Sequence, residues 1–244
     1  MIVASLSLIA VGAADLVRQF FPAQRRWIGY AMLALLTIVL GAGVEGGVAA
    51  FVAISVAALW PLTMPADGTG RGGFWPVAAL AVLCSIAIAA FAPRIGAGYF
   101  ADLFISSGAF EGVGVDLALL VVGVVVFLLE SSNVIVRTAL RSEDAPPREA
   151  AQSVATAAAA PTLKGGRLIG PLERILVFAL TLAGAYTLLA AVLAAKGIVR
   201  FPEISRDTDT GGRAEYFLVG SLVSWVIALA CAALVWWASG ITPV

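Results

Sequence analysis

Seven apolar runs, each close to the length of a bilayer crossing, constrain this chain more than any other feature. They cover residues 2–20, 27–44, 47–64, 74–92, 113–129, 172–198 and 215–238. A hydrocarbon core about 30 Å thick takes about 20 residues of helix to cross. Inside it every backbone polar group must find a partner within the protein, which leaves helices or closed barrels. Barrel strands would show as short alternating segments, and none is visible. Composition agrees: 61% of residues are hydrophobic and 12% charged, where a soluble domain is about a quarter charged. The expected fold class is therefore all-α, an integral membrane helical bundle of about seven transmembrane helices.

The same composition excludes several chemistries. Net charge is zero, so there is no basic footprint for nucleic acid. The chain has no histidine, which removes the commonest metal ligand and the usual proton shuttle near neutral pH. Cys84 and Cys231 each stand alone in an apolar run, without the paired spacing of a zinc or redox site. The glycine-rich loop at 66–73 lacks the Gly-Lys-Ser/Thr of a phosphate loop. Asp207 and Asp209 lack the further ligands of a calcium loop. No metal, cofactor or catalytic residue is assigned.

Residues 1–140 read as a five-helix membrane domain. A semi-polar stretch at 93–112, with Arg94, Asp102 and Glu111, is too short in apolar residues to cross, so it lies at the interface or re-enters. Residues 141–166, rich in Ala, Pro, Ser and Thr with Pro146-Pro147 and Pro161, read as a flexible cytoplasmic linker. Residues 167–244 read as a C-terminal two-helix membrane hairpin. Of the 15 basic residues, an external amino terminus leaves Arg94, Lys196, Arg200, Arg206 and Arg213 outside and the other ten inside. The positive-inside rule then sets the N-terminus outside and the C-terminus inside. Ladders of small residues at every fourth position suit close helix packing. They run Ala49-Ala53-Ala57, Ala81-Ser85-Ala89, Ala179-Ala183-Thr187-Ala191-Ala195 and Gly220-Ser224-Ala228-Ala232.

Three groups of polar residues are candidate sites. Lys196 and Arg200 share a helical face, and Glu215 opens the returning helix. A continuous helix from Glu173 to Lys196 would be about 34 Å long, which sets this group at the outer interface. Two cations and one acid there suit an anionic ligand or lipid headgroup. Snorkelling anchors with one structural ion pair are the plainer alternative. Glu130, Asn133 and Arg137 fall on one face at the inner end of the fifth run. With Asp15 at a similar depth they form an intramembrane polar cluster, which either lines a polar cavity, as a proton or cation path or a substrate pocket, or is a structural ion-pair network that glues the first, fifth and sixth runs together. A carboxylate at that depth needs a partner, which Arg137, Arg167 or Arg174 could offer. Gly165 to Arg174 forms a tight helix-opening motif in which Arg167, Glu173 and Arg174 either shape the turn or meet a cytoplasmic partner.

The segments GRLIGPLER (166–174), AAKGIVRF (194–201) and AEYFLVGSLVS (214–224) resemble a pattern of uncharacterised bacterial polytopic membrane proteins. The resemblance covers about a third of the chain. It implies a multi-pass protein of the bacterial cytoplasmic membrane and carries no activity with it. The function expected first is a small transport, channel or ligand-binding protein with an anion or headgroup site near Lys196 and Arg200. An interaction subunit holding a cytoplasmic protein partner through 141–174 comes second. An intramembrane enzyme acting on a lipid phosphate comes third. The expected partners are membrane lipids, an anionic ligand and a protein.

Overall fold

The computed structural model describes residues 1–65, 73–90, 98–99, 114–142, 166–204 and 212–241. Side chains at 142, 166–168, 200–204, 212–216 and 241 lie outside the described set. The stretches expected at 93–112 and 141–166 fall largely outside it. The described residues are all-helical, without a strand. The helices are α1 (Ile2–Phe20), α2 (Arg26–Gly43), α3 (Gly47–Thr63), α4 (Trp75–Ala90), α5 (Val115–Leu129), α6 (Ser131–Ser142), α7 (Gly166–Leu182), α8 (Tyr186–Ile204) and α9 (Gly212–Ile241). Three spans, Ile2–Phe20, Ala23–Gly43 and Phe217–Gly240, are long and apolar enough to cross a membrane. The pair α5–α6, bent by 45°, makes a fourth if counted as one span. These long apolar helices suggest membrane association.

α1 is the centre of the bundle, with α2, α3, α4 and α5 packed around it. Its closest neighbour is α5, and two glycines make that approach possible. A Cβ on Gly12 would lie 2.7 Å from the Val126 carbonyl carbon, and one on Gly123 2.8 Å from the Ser5 carbonyl oxygen. In lipid, where apolar area drives little association, such backbone contact holds helices together. Ser5 lies beside Asp116 and Asp15 beside Ser131, so α1 and α5 run parallel. Ile2 beside Gly46 and Asp15 beside Trp60 make α3 parallel to them too. α2 runs against α1, with Gly29 on Val17. So does α4, whose Ala87 carbonyl accepts from the Met1 nitrogen.

The C-terminal third differs from expectation. The run 172–198 is not one helix, and 167–244 is three helices instead of two. α7 stops at Leu182. Gly184 takes φ +67, its N–H donates to the Thr181 carbonyl (3.1 Å), and the Ala185 N–H donates to the Leu180 carbonyl (2.9 Å). That crossed pair of bonds around a left-handed glycine is a Schellman termination. The chain folds back as α8.

α9 packs on α7, α6 and α5. Gly220 faces Val136 and Leu140 on α6, while Cys231, Val235 and Ala238 join the core of Leu120 and Val124. α9 therefore runs against α5–α6, and its end near Ile241 lies with the start of α1. A seven-span path would have put those ends on opposite sides. One apolar core, including Leu8, Trp60, Cys84, Phe127, Phe178 and Cys231, joins the N-terminal helices to α7 and α9.

Candidate functional site

Because α1, α3 and α5 are parallel, their C-terminal ends meet at one end of the bundle. A helix end leaves carbonyls without intrahelical partners and carries a partial negative charge that favours cations. An arginine meets each of these ends. Arg26 donates to the Phe21 and Arg18 carbonyls (3.3 and 3.1 Å). Both terminal nitrogens of Arg18 donate to the Met64 carbonyl beyond α3 (2.9 Å each). Arg174, reaching across from α7, donates to the Leu128 carbonyl near the end of α5 (3.3 Å).

The hub of this layer is Glu130-Ser131-Ser132-Asn133, where α5 breaks into α6. Glu130 sits at φ −129, ψ −38, outside helical geometry; Ser131 turns toward Asp15 while Ser132 and Asn133 turn toward Arg174. The Ser131 hydroxyl donates to Asp15 Oδ2 (2.6 Å), which also accepts from the Trp60 indole (2.9 Å). Asp15 Oδ1 lies 3.1 Å from Arg18 Nη1, an ion-pair contact whose alignment falls short of a hydrogen bond. Ser132 donates to the Leu128 carbonyl (2.7 Å) and accepts from Arg174 Nη1 (2.6 Å). Asn133 bridges opposite charges: its amide nitrogen donates to Glu130 Oε2 (2.9 Å), and its carbonyl oxygen accepts from Arg174 Nη2 (2.7 Å). This amide orientation is the one that both neighbours demand. Arg174 Nε donates to Ser224 on α9 (2.9 Å). Arg137 pairs with Glu130 Oε1 at 3.6 Å.

Asp15, Glu130 and Arg174 are 1%, 4% and 4% exposed, whereas the Arg137 side chain is 45% exposed. Glu130 thus faces the interior through Asn133 and the surface through Arg137. Asp15 lies in the last two turns of α1, and Glu130 stands between the C-terminus of α5 and the N-terminus of α6, so no helix dipole alone stabilises the two carboxylates. They depend on the arginines, hydroxyls and indole around them.

The second group is on the hairpin. Glu173 stands nine residues before Leu182, and Lys196 ten after Tyr186, so the turn brings them level. Their charges pair at 2.6 Å. The Trp225 indole on α9 donates to Glu173 Oε1 (3.1 Å), and the Lys196 ammonium lies 5.4 Å from the Trp225 ring centre and 5.8 Å from that of Phe217. Expectation set Glu173 and Lys196 a bilayer apart. They touch because the expected span is a hairpin. The side chains of Arg167, Arg200 and Glu215, expected to belong to these groups, lie outside the described set. Arg174, expected both in the helix-opening motif and as a partner for the Glu130 cluster, reaches that cluster through Ser132 and Asn133, and Glu173 is largely covered.

Sequence reasoning missed Trp60, Ser131, Ser132, Ser224 and Trp225. Nothing in an apolar run marks a tryptophan whose indole must find an acceptor, although a buried Trp N–H usually has one. Among the described residues no group of three or more Cys, Asp or Glu lies together as a metal site. The segments 166–174, 194–201 and 214–224 meet around the hairpin pair: Glu173 and Arg174 come from the first, Lys196 from the second, Phe217 and Ser224 from the third. No family model, curated protein or solved structure matches the chain.

Proposed function

We propose that the protein is a small multi-pass transport protein of the bacterial cytoplasmic membrane that passes a proton or monovalent cation through this polar layer. Glu130 binds and releases the charge, with Asp15 as the second carboxylate. The observation that carries the reading is the buried Glu130 at a helix break, bonded inward to Asn133 and outward to a half-exposed arginine. Ionisable groups inside a membrane bundle mark ion and proton pathways by default. Broken helices are tolerated at membrane depth only where protein or a water-filled cavity meets their freed backbone, and transporters build ion sites at such breaks.

In this reading α1 to α5 and α9 make six crossings. The hairpin α7–α8 enters from one side and returns to it. Its tip lies nine to ten residues beyond Glu173 and Lys196, about 14 Å at the helical rise and half of a hydrocarbon core. The layer faces the cytoplasm, because Arg18, Arg25, Arg26, Arg137 and Arg141 all belong to its end of the bundle. Both the start of α1 and the end of α9 then face outward. Lys196, held by Glu173, serves as a clasp for the hairpin and not as an open anion site.

The test is flux into liposomes containing purified protein and a trapped pH-sensitive dye, under imposed proton, sodium and potassium gradients. Wild type should dissipate one of these gradients. Glu130→Gln, which keeps an acceptor for Asn133, should lose the flux by about tenfold or more in protein that remains monodisperse and helical by circular dichroism. A folded Glu130→Gln that conducts like wild type, or a wild type no leakier than empty liposomes, overturns the proposal.

A further inference from the structure

Away from the polar layer, α2 and α3 part to leave a groove of about 400 Å³, within the size range of ligand sites. Ala10 of α1 lies at the bottom, Tyr30, Ala34 and Thr37 line one wall, and Ala57 and Pro61 line the other. The groove is open because its walls are small. Its lining is almost wholly apolar: the Thr37 hydroxyl already donates to the Leu33 carbonyl (2.8 Å). On both sides lie exposed apolar side chains, Met32, Leu35 and Leu36 on α2 and Leu59 and Leu62 on α3, so the groove opens onto the surface that acyl chains would cover.

One end of it is charged. Tyr30 and Pro61 lie at the end where α1 turns into α2, and the Tyr30 hydroxyl is within electrostatic reach of Arg18 and Arg26. Arg26 stands one helical turn before Tyr30, and Arg25, exposed, precedes it on the Ala23–Arg25 turn. Phe20 and Trp27, 70% and 69% exposed, flank the arginines as residues of a membrane interface do. An apolar slot ending at an exposed cationic turn between interfacial aromatics fits a molecule with one acyl chain below and an anionic head above.

We infer that the α2–α3 groove is a binding site for one anionic phospholipid, with an acyl chain between Ala34 and Ala57 and the phosphate-bearing headgroup on Arg25 and Arg26. The inference rests on the membrane reading above but not on the Glu130 hub. Of the residues varied below only Arg26, which also closes the end of α1, belongs to the polar layer, so Arg25→Gln alone and the filled groove test the site independently of it. A phospholipid is favoured over a second copy of the chain because the arginines end the groove, and a second copy would meet them with its own.

Native mass spectrometry of the purified protein tests this after titration with phosphatidylglycerol or phosphatidylcholine micelles. Wild type should retain one phosphatidylglycerol per chain and hold phosphatidylcholine far less. Arg25→Gln/Arg26→Gln should weaken phosphatidylglycerol retention about twentyfold, since each basic residue near an anionic headgroup contributes severalfold. Ala34→Leu/Ala57→Leu, which fills the slot, should abolish retention with the arginines intact. Arg25→Gln alone, at an exposed turn, keeps the test open if a double variant fails to fold, and should weaken retention about fivefold. Equal retention of both lipids, unchanged retention in the filled groove, loss that inorganic phosphate alone reproduces by competition, or a dimer sealed across this face with no lipid would each overturn the inference.

Discussion

At the scale of single residues, two kinds of position hold this molecule together: glycines that admit backbone and arginines that close helix ends. Gly12 and Gly123 belong to the first kind. A methyl group on Gly12 meets Val126 and Phe127 main-chain atoms at 2.7–2.8 Å, and main chain cannot step aside by changing rotamer. Gly12→Ala should therefore cost about 2 kcal/mol, read as a lower unfolding midpoint in detergent. Gly47→Ala, with nothing within 4 Å of the added carbon, should leave that midpoint unchanged or slightly raised. Arg174 belongs to the second kind. Its bonds to Leu128, Ser132, Asn133 and Ser224 use the planar fork of a guanidinium, which lysine lacks. Removing one partner from a buried charge network costs about 3–5 kcal/mol. Arg174→Met should then be the most destabilising single change in the layer, and Arg174→Lys should recover only part of the loss in the same melt. Arg137 and Arg174 were legible as partners of the buried carboxylate, but the close approaches at Gly12 and Gly123 were not. Ladders of small residues mark faces that can pack without saying which do: Ala49, Ala53 and Ala57 are buried, whereas Ala179, Ala183, Thr187, Ala191 and Ala195 all lie exposed.

At the scale of elements, helix identity was legible and helix termination was not. Apolar runs marked α1 to α5 and α9 to within a few residues, because an uninterrupted apolar stretch with polar ends has one solution in lipid. The break at Gly184 was hidden by its surroundings. Ala183-Gly184-Ala185 adds no polarity to the run, and glycine is common in membrane helices. The remaining hint was length: 172–198 exceeds the roughly 20 residues that one crossing takes. The break at Glu130 was half legible, since Glu130, Asn133 and Arg137 were placed on one helical face, but a 45° bend leaves no periodicity to read. Gly184 offers a clean test of how the hairpin is held. Nothing lies within 4 Å of a Cβ there, while φ is +67, so Gly184→Val acts through the backbone alone and should cost about 1–2 kcal/mol. If that turn is what brings α8 back to α7, a double-mutant cycle of Glu173→Gln and Lys196→Met should show coupling in the wild-type background. The coupling should vanish in the Gly184→Val background. Equal coupling in both would mean that α9, through Trp225, holds the pair without the turn.

For the molecule as a whole, the hairpin decides where charge lies. Read as one span, 172–198 sends Lys196 to the far side of the membrane, and five basic residues remain outside, against the rule that basic residues stay in. Folded back, the same segment brings Lys196 to Glu173, level with Ser224, Arg174 and the α5–α6 break. The described charges of α1, α6, α7 and α8 then gather at one end, and the anomaly in charge distribution shrinks without any change of sequence. Which of the two paths the chain takes in a membrane is measurable in whole cells. With Cys84 and Cys231 replaced by alanine, a single cysteine at Val199, which is 73% exposed, should react with a membrane-impermeant maleimide only after the cells are opened. A cysteine at Arg141, cytoplasmic in the proposed topology, serves as the reference. One at Tyr186, at the hairpin tip, should resist the reagent from either side, since both faces of a bilayer lie about 14 Å or more away. Labelling of Val199→Cys in intact cells would restore the single span. It would separate Lys196 from Glu173 and remove the hairpin from the polar layer on which the transport reading is built.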